Sequence, residues 1–174
     1  AGEWRTEIGT VENVTRHAMY SDLILLGRYG EASSATAVRP EEVALHTGRP
    51  LVVLPTASTH AWPPRRVLCA WNGRREAVRA IVEALPLLLT ADEILVMTVT
   101  RAASDGAIRP GEEIVRYLEH RGMRVQLQNA HGGNGDVFRM IVEQAYAMEA
   151  DLLVMGAYGH SPLRESLMGG ATRE

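Results

Sequence analysis

The chain has 174 residues, of which 46% are hydrophobic, and its formal net charge at pH 7 is −3. This length and composition predict soluble globular structure, either one domain or one domain with part of another. The mild acidity and the lack of any long apolar run give no reason to expect a nucleic-acid partner or a membrane span. Cys69 is the single cysteine, so no intrachain disulfide can form, and we expect a buried thiol in a cytoplasmic protein.

Two helices and two buried strands are predicted in the first part of the chain. Thr10 can cap the first helix, and Pro40, followed by two glutamates, opens the second helix, which ends at Gly48. Short aliphatic runs predict strands that are buried on both faces. The predicted elements are helix 10–20, strand 23–26, helix 40–47 and strand 51–54.

The rest of the chain alternates regularly between strands and helices. A linker is predicted at residues 56–65, where small residues are followed by two prolines. Four strand-like runs then alternate with three helical patterns, which is typical of a parallel sheet covered by helices. The predicted strands are 66–70, 93–99, 124–129 and 152–155, and the predicted helices begin near Arg75, Pro110 and Asp136.

The last strand is followed by regularly spaced glycines. Gly156, Gly159 and Gly169 are separated by two and nine residues. In open parallel sheets, ligands bind beyond the carboxyl ends of the strands, and glycine there lets backbone N–H groups approach a phosphate. The spacing alone is equally compatible with a loop whose glycines only serve turns. Both interpretations stay open on the glycines alone.

An internal repeat links the two ends of the chain. Tyr20–Glu31 and Glu149–His160 share five identities in twelve positions, at a constant offset of 129 residues. An offset of one domain length predicts tandem copies, with the later part of the first copy at 1–60 and most of the second at 61–174. The second copy is expected to lack its last strand. The sequence leaves open whether residues beyond 174 or the N-terminal segment supply the missing elements.

The two copies differ where a phosphate would bind. Pro40 of the first copy stands at the position of Gly169, which removes one N–H group, and two glutamates follow it. These carboxylates already offset the helix dipole and would repel a phosphate. The second copy has glycine at 169 and 170 and the hydroxyl of Thr172 instead. We therefore expect any phosphate site to lie in the second copy.

Together these residues resemble the universal stress protein family. The spacing Gly156-x2-Gly159-x9-Gly169 is similar to the family's ATP-binding pattern, and the runs VLCAWNGRREAVRAI and ADLLVMGAYGH are similar to its first and fourth strands. The resemblance covers nearly the whole chain in a truncated tandem form. It implies an α/β fold with an open, parallel, five-stranded sheet of order 3-2-1-4-5, helices on both faces, and homodimerisation through the last strand.

The resemblance also implies a nucleotide site. Asn72 follows the first strand, where nucleotide-binding members commonly have Asp, and Val99 ends the second strand, where backbone groups meet adenine. The three spaced glycines match the phosphate loop. Gly170 stands where the pattern has Ser or Thr, and Thr172 is the candidate substitute two residues later. The implied cofactor-binding residues are Asn72, Val99, Gly156, Gly159, Gly169, Gly170 and Thr172.

The function implied by the resemblance is that of a stress-response regulator that binds ATP. Mg²⁺ is needed there only to screen the triphosphate, and no resident metal site is expected because metal-ligand spacings are missing from the sequence. His160 is the only candidate acid or base near the loop, so we expect no enzyme activity beyond a weak ATPase.

Two further interpretations remain open. In the first, the chain is a protein–protein interaction module in which both nucleotide sites have decayed, as Asn72 and Gly170 favour. In the second, it is an adenylating enzyme. The residues after the first predicted strand read Trp-Asn-Gly-Arg rather than an SGGxDS-type pyrophosphate loop, which argues against that enzyme.

Overall fold

The computed structural model of the chain describes residues 10–27, 38–55, 62–100, 111–132 and 137–157. The chain divides into two compact units, Ala1–Thr59 and His60–Glu174. Both units combine parallel strands with helices. Within the described ranges, no helix has the length and apolar character needed to cross a bilayer.

The first unit pairs two short parallel strands with two short helices. Its helix signals act as predicted: the Thr10 side chain accepts a hydrogen bond from the N–H of Asn13, Pro40 occupies the start of the second helix, and Gly48 ends that helix in the left-handed conformation. Val43 is fully buried at the centre of the small core. The elements are α1 (Val11–Ala18), β1 (Ile24–Gly27), α2 (Pro40–Thr47) and β2 (Leu51–Leu54).

The second unit is a four-stranded parallel sheet of order β5-β4-β3-β6. Helices α3 and α4 pack on one face and α5 packs on the other. Pairing of Thr100 with His131 extends β5 beyond its predicted end at residue 129. The elements are β3 (Arg66–Trp71), α3 (Arg75–Leu88), β4 (Glu93–Thr100), α4 (Glu112–Glu119), β5 (Val125–His131), α5 (Val137–Ala147) and β6 (Leu152–Val154).

The predicted α/β class, with parallel strands and helices, is confirmed, but a single five-stranded sheet is not observed. The described residues form one sheet of two strands and one of four, because β1 and β2 pair with each other while β6 pairs with β3. Counted within the second unit, the four strands have the order 3-2-1-4. A fifth strand and the tandem arrangement stay predictions.

Strand β3 forms the centre of the second unit. Val67, Leu68 and Cys69 are completely buried, with alternate residues packing towards α3 and α4 or towards α5. Burial raises the pKa of the Cys69 thiol to about 12, so the thiol is neutral at physiological pH. The prediction that Cys69 is a small core residue is confirmed.

Asp151 fastens the start of β3 to the start of β6. Its Oδ2 atom accepts the N–H groups of Arg65 at 2.9 Å and Arg66 at 2.8 Å. Its own N–H donates to the Arg66 carbonyl at 2.8 Å. One carboxylate thus satisfies two backbone donors where the central strand begins.

Replacing Asp151 with alanine should lower the free energy of unfolding by about 1–3 kcal/mol, because two backbone donors lose their acceptor. Asp92→Ala is the control: its ion pair with Arg65 is exposed, with 71% of the Asp92 side chain open to solvent, and such pairs contribute about 0–1 kcal/mol. Urea denaturation of both variants measures the difference. Equal losses would contradict the role given to Asp151.

Candidate functional site

The carboxyl ends of three parallel strands meet at one edge of the second unit. Continuing the β3–β4 ladder one residue beyond its last pair brings Asn72 level with Val99. Continuing the β3–β6 ladder two residues beyond its last pair brings Trp71 level with Gly156. Strand register therefore brings Asn72, Val99 and Gly156 to the same edge of the sheet.

This edge contains the topological switch point of the sheet. From β3 the chain moves outward through β4 and β5, and it then returns to the other side of β3 as β6. Successive connections therefore diverge between β3 and β6, where open α/β sheets bind their ligands in a crevice. Asn72 and Gly156 flank this crevice, and Val99 lies one strand away.

Asn72 closes the turn between β3 and α3. Its Oδ1 atom accepts the N–H of Arg74 at 3.0 Å, and Gly73 adopts a positive φ of 71° between them. The Asn72 side chain is exposed and uncharged, and its oxygen already has a partner within the turn. Its Nδ2 group is the part of the side chain that remains to donate to a ligand.

Gly156 lies directly against the first turn of α3. A Cβ atom at this position would be 2.8 Å from both the carbonyl carbon and the Cβ of Glu76, and 2.9 Å from the nitrogen of Ala77. Two of these three atoms belong to the helix backbone, which cannot move aside cheaply. Packing therefore requires glycine at position 156 independently of any ligand.

Glu76 brings a carboxylate to the same place. Its Oε2 atom is buried without a hydrogen-bond partner in the described part of the chain, and Oε1 lies 3.4 Å from Nε of Arg75. A hydrogen bond from its own backbone N–H, together with Arg75 and Arg74 and opposed by burial, lowers the pKa of Glu76. The start of α3 thus carries two positive charges and one negative charge. Sequence analysis missed Glu76 because only the fold brings it to Gly156.

Val99 contributes its side chain to the core rather than to the crevice. It is half-buried and packs, like Ala130 and Met140, against the buried core between the sheet and α5. Only its backbone groups are therefore suited to contact a ligand at the sheet edge, which agrees with the role that the family resemblance implies.

A polar ladder continues the same edge across β4 and β5. The Thr98 hydroxyl donates to Oδ1 of Asn129 at 2.5 Å, and the Thr100 hydroxyl lies 3.0 Å from Nδ1 of His131. Both pairs are register partners, two residues apart, and so share one face of the sheet. In the sequence, only the alternation of polar residues at the ends of the two strands hints at these pairs. The register that joins them is seen only in the structure.

Four of the predicted site residues, Gly159, Gly169, Gly170 and Thr172, lie outside the described residues, as does His160. The structure therefore brings together three of the seven predicted residues and describes none of the other four. In the part of the chain that is described, no three His, Cys, Asp or Glu side chains come close enough to hold a metal ion.

Comparison with known proteins identifies the class of protein that this sheet and crevice define. A model of the universal stress protein family matches residues 63–174, which is more than half of the chain. The chain therefore belongs to the universal stress protein family. A search of curated protein sequences gives no match.

Two solved structures are similar to the chain. A universal stress protein from Archaeoglobus fulgidus DSM 4304 matches 93% of the chain at 16% identity with a TM-score of 0.63. The chain spans 59% of the length of that protein. A universal stress protein family member from Burkholderia pseudomallei matches 65% of the chain and 94% of its own length, at 19% identity and a TM-score of 0.44. At such low identity, the first likeness shows the fold alone.

Gly156→Ala should lower the free energy of unfolding by about 1–3 kcal/mol, because the new methyl group collides with the α3 backbone. Gly27 is the matched control, since it repeats Gly156 at the offset of 129 residues and a Cβ there meets nothing within 4 Å. Gly27→Ala should leave stability unchanged or raise it by less than about 1 kcal/mol. Urea denaturation compares the two variants, and a similar loss in both would show that the contact with α3 is not the cause.

Proposed function

We propose that the second unit binds an adenine nucleotide, ATP, and that the protein acts as a nucleotide-responsive regulator of the stress response. The observation that carries this proposal is the convergence of Asn72, Val99 and Gly156 at the switch-point crevice of a universal stress protein sheet. Adenine would lie against the ends of β3 and β4. The phosphates would lie over the glycines that follow β6, with Mg²⁺ screening their charge.

The charges at the start of α3 favour one orientation of the ligand. Arg74 and Arg75 are exposed beside the crevice and can pair with phosphate oxygens. The charged carboxylate of Glu76, beside Gly156, opposes a phosphate at that point. The phosphates are therefore expected towards the two arginines rather than directly above Gly156.

Binding rather than turnover is the proposed activity. Glu76 is a carboxylate that lies beside Gly156 at the crevice, but its lowered pKa and its arginine neighbour make it a weak base. We expect little or no hydrolysis. Nucleotide binding would instead bias a conformation that a partner protein recognises.

The remaining parts of the proposal rest on the internal repeat and on the family. Residues 1–60 and 61–174 are proposed as tandem copies, of which the first has a degenerate site because Pro40 replaces the third glycine. A cytoplasmic location and a homodimer joined through the last strand are proposed on the same grounds.

A protein–protein interaction module is the second candidate. Two observations at the crevice favour it: the Asn72 amide is neutral and its oxygen is occupied by Arg74, and Glu76 adds a negative charge where phosphates would approach. In that case the crevice no longer binds a nucleotide, and a surface elsewhere on the protein binds the partner.

Isothermal titration with MgATP, and with adenosine, separates the two candidates. We expect heat with ATP for the unchanged protein and its loss in Gly159→Val, because a side chain in the phosphate loop blocks backbone N–H groups. Gly27→Val, in the first unit, is the control and should bind as the unchanged protein does. If neither ATP nor adenosine gives heat, nucleotide binding is wrong and the interaction module is favoured.

Asn72→Asp should bind ATP about fivefold more tightly, because one carboxylate oxygen can keep the bond to Arg74 while the other replaces Nδ2 and accepts from a nucleoside hydroxyl, and hydrogen bonds to a charged acceptor exceed neutral ones by about 1 kcal/mol. Asn129→Asp makes the same charge change on β5 at the same sheet edge and should leave the affinity unchanged. Titration calorimetry of both variants makes the comparison. Unchanged binding by Asn72→Asp would remove Asn72 from the nucleoside contact, whereas weaker binding would show that its Nδ2 group donates to the ligand and would contradict the predicted acceptor role.

A further inference from the structure

Glu76 brings a fixed negative charge to the edge of the crevice. A Cβ atom at Gly156 would lie 2.8 Å from the Cβ of Glu76, so the base of this side chain lies directly against the chain that follows β6. A hydrogen bond from its own backbone N–H is the main cause of the lowered pKa of Glu76, and the group is therefore charged at neutral pH. This carboxylate lies beside the place where the nucleotide phosphates are proposed to bind.

One oxygen of this carboxylate has no partner among the described residues. Oε2 is buried and accepts no hydrogen bond there, whereas Oε1 lies 3.4 Å from Nε of Arg75. Arg75 compensates little of the charge, because its side chain is 93% exposed and water screens such pairs. A buried carboxylate oxygen without a partner is unfavourable, so a cation that reaches Oε2 gains affinity.

The described residues do not form a complete site for a divalent cation. No three His, Cys, Asp or Glu side chains come together in the ranges that the structure describes. The Oδ1 atom of Asn72 is engaged with Arg74, and its Nδ2 group is a donor. Mg²⁺ is usually held by one or two carboxylates together with substrate phosphates and water. Glu76 therefore fits as a ligand to Mg²⁺ only when a nucleotide supplies the phosphate oxygens.

The charge of Glu76 distinguishes two forms of ATP. Metal-free ATP presents unshielded negative phosphates, and two like charges repel each other more strongly where little water lies between them. In the magnesium complex, a divalent cation can lie between a phosphate and the carboxylate, so that both groups face a positive charge. The same side chain therefore opposes the first form and favours the second.

We propose that Glu76 makes the crevice selective for the magnesium complex of ATP over metal-free ATP, because its carboxylate binds the nucleotide-bound Mg²⁺ directly or through a water molecule. Mg²⁺ then joins the protein to the phosphates in addition to screening their charge. This inference rests on the proposed function, since it requires a nucleotide in the crevice. It adds the residue that determines which form of the nucleotide is bound.

Titration calorimetry with ATP, in Mg²⁺ and in EDTA at equal ionic strength, tests the proposal. Glu83→Gln is the matched control for Glu76→Gln: Glu83 is exposed, lies about two turns further along α3, and its substitution changes the net charge equally. Mg²⁺ should strengthen ATP binding about tenfold or more in the unchanged chain and in Glu83→Gln, since like charges at a binding site are costly. In Glu76→Gln the gain should fall to about twofold, mainly because metal-free ATP binds better.

Circular dichroism confirms that each variant keeps the fold. A tenfold gain that persists in Glu76→Gln would overturn the proposal while leaving nucleotide binding intact. An equal loss of affinity with and without Mg²⁺ in that variant would also overturn it, and would identify Glu76 as an acceptor for a nucleoside hydroxyl. If ATP gives no heat with any of the three proteins, the proposed function is wrong and the proposal falls with it.

Electron paramagnetic resonance of Mn²⁺ supplies a readout that does not depend on the variants. The unchanged chain should bind Mn²⁺ in the presence of ATP, and the signal of free Mn²⁺ should then fall below that of a solution of Mn²⁺ and ATP without protein. Without ATP, the chain should leave the signal of free Mn²⁺ unchanged, because Glu76 alone supplies too few ligands. Equally strong binding of Mn²⁺ without the nucleotide would contradict the proposal.

Discussion

The second unit depends on the complete burial of β3 between two parallel neighbours. Each fully buried aliphatic side chain contributes roughly 1.5–3 kcal/mol, and Val67 and Leu68 project to opposite faces of the sheet. A buried strand must also satisfy its backbone groups on both edges, which β4 and β6 do. These pairings fix the level at which each strand ends. The crevice at the switch point is therefore a consequence of core packing. The hydrogen bonds of Asp151 hold the opposite edge of the sheet, where β3 and β6 begin.

Local signals in the sequence were sufficient to predict the elements but not their contacts. Aliphatic runs, the Thr10 cap and the Pro40 and Gly48 boundaries act within a few residues, and the helices and strands lie close to where these signals place them. The approach of Glu76 to Gly156 depends on the pairing of β3 with β6, which are distant in sequence. The polar ladder from Thr98 depends on register in the same way. Asn72 and Val99 were identified through the family resemblance rather than through any local rule.

Gly156 shows why a glycine pattern alone is a weak indicator of a phosphate site. Its lack of a side chain is already required by the backbone of α3, so its presence says little about a ligand. Gly27 occupies the position equivalent to Gly156 in the repeat, but no described residue there would collide with a side chain. Substitutions at Gly159, Gly169 and Gly170 are therefore better suited than a substitution at Gly156 to distinguish a simple turn from a phosphate loop.

The contact between Gly156 and α3 also limits how a bound nucleotide could produce a signal. The space between Gly156 and the helix is too small for a side chain, because a Cβ atom there would lie 2.8 Å from Glu76 and 2.9 Å from Ala77. The ends of β3 and β4 are held by a buried ladder. Among the described residues at this edge, the exposed side chains of Arg74 and Arg75 remain able to respond. A partner that distinguishes the nucleotide-bound protein would therefore recognise the surface above the crevice, while the sheet beneath it stays unchanged.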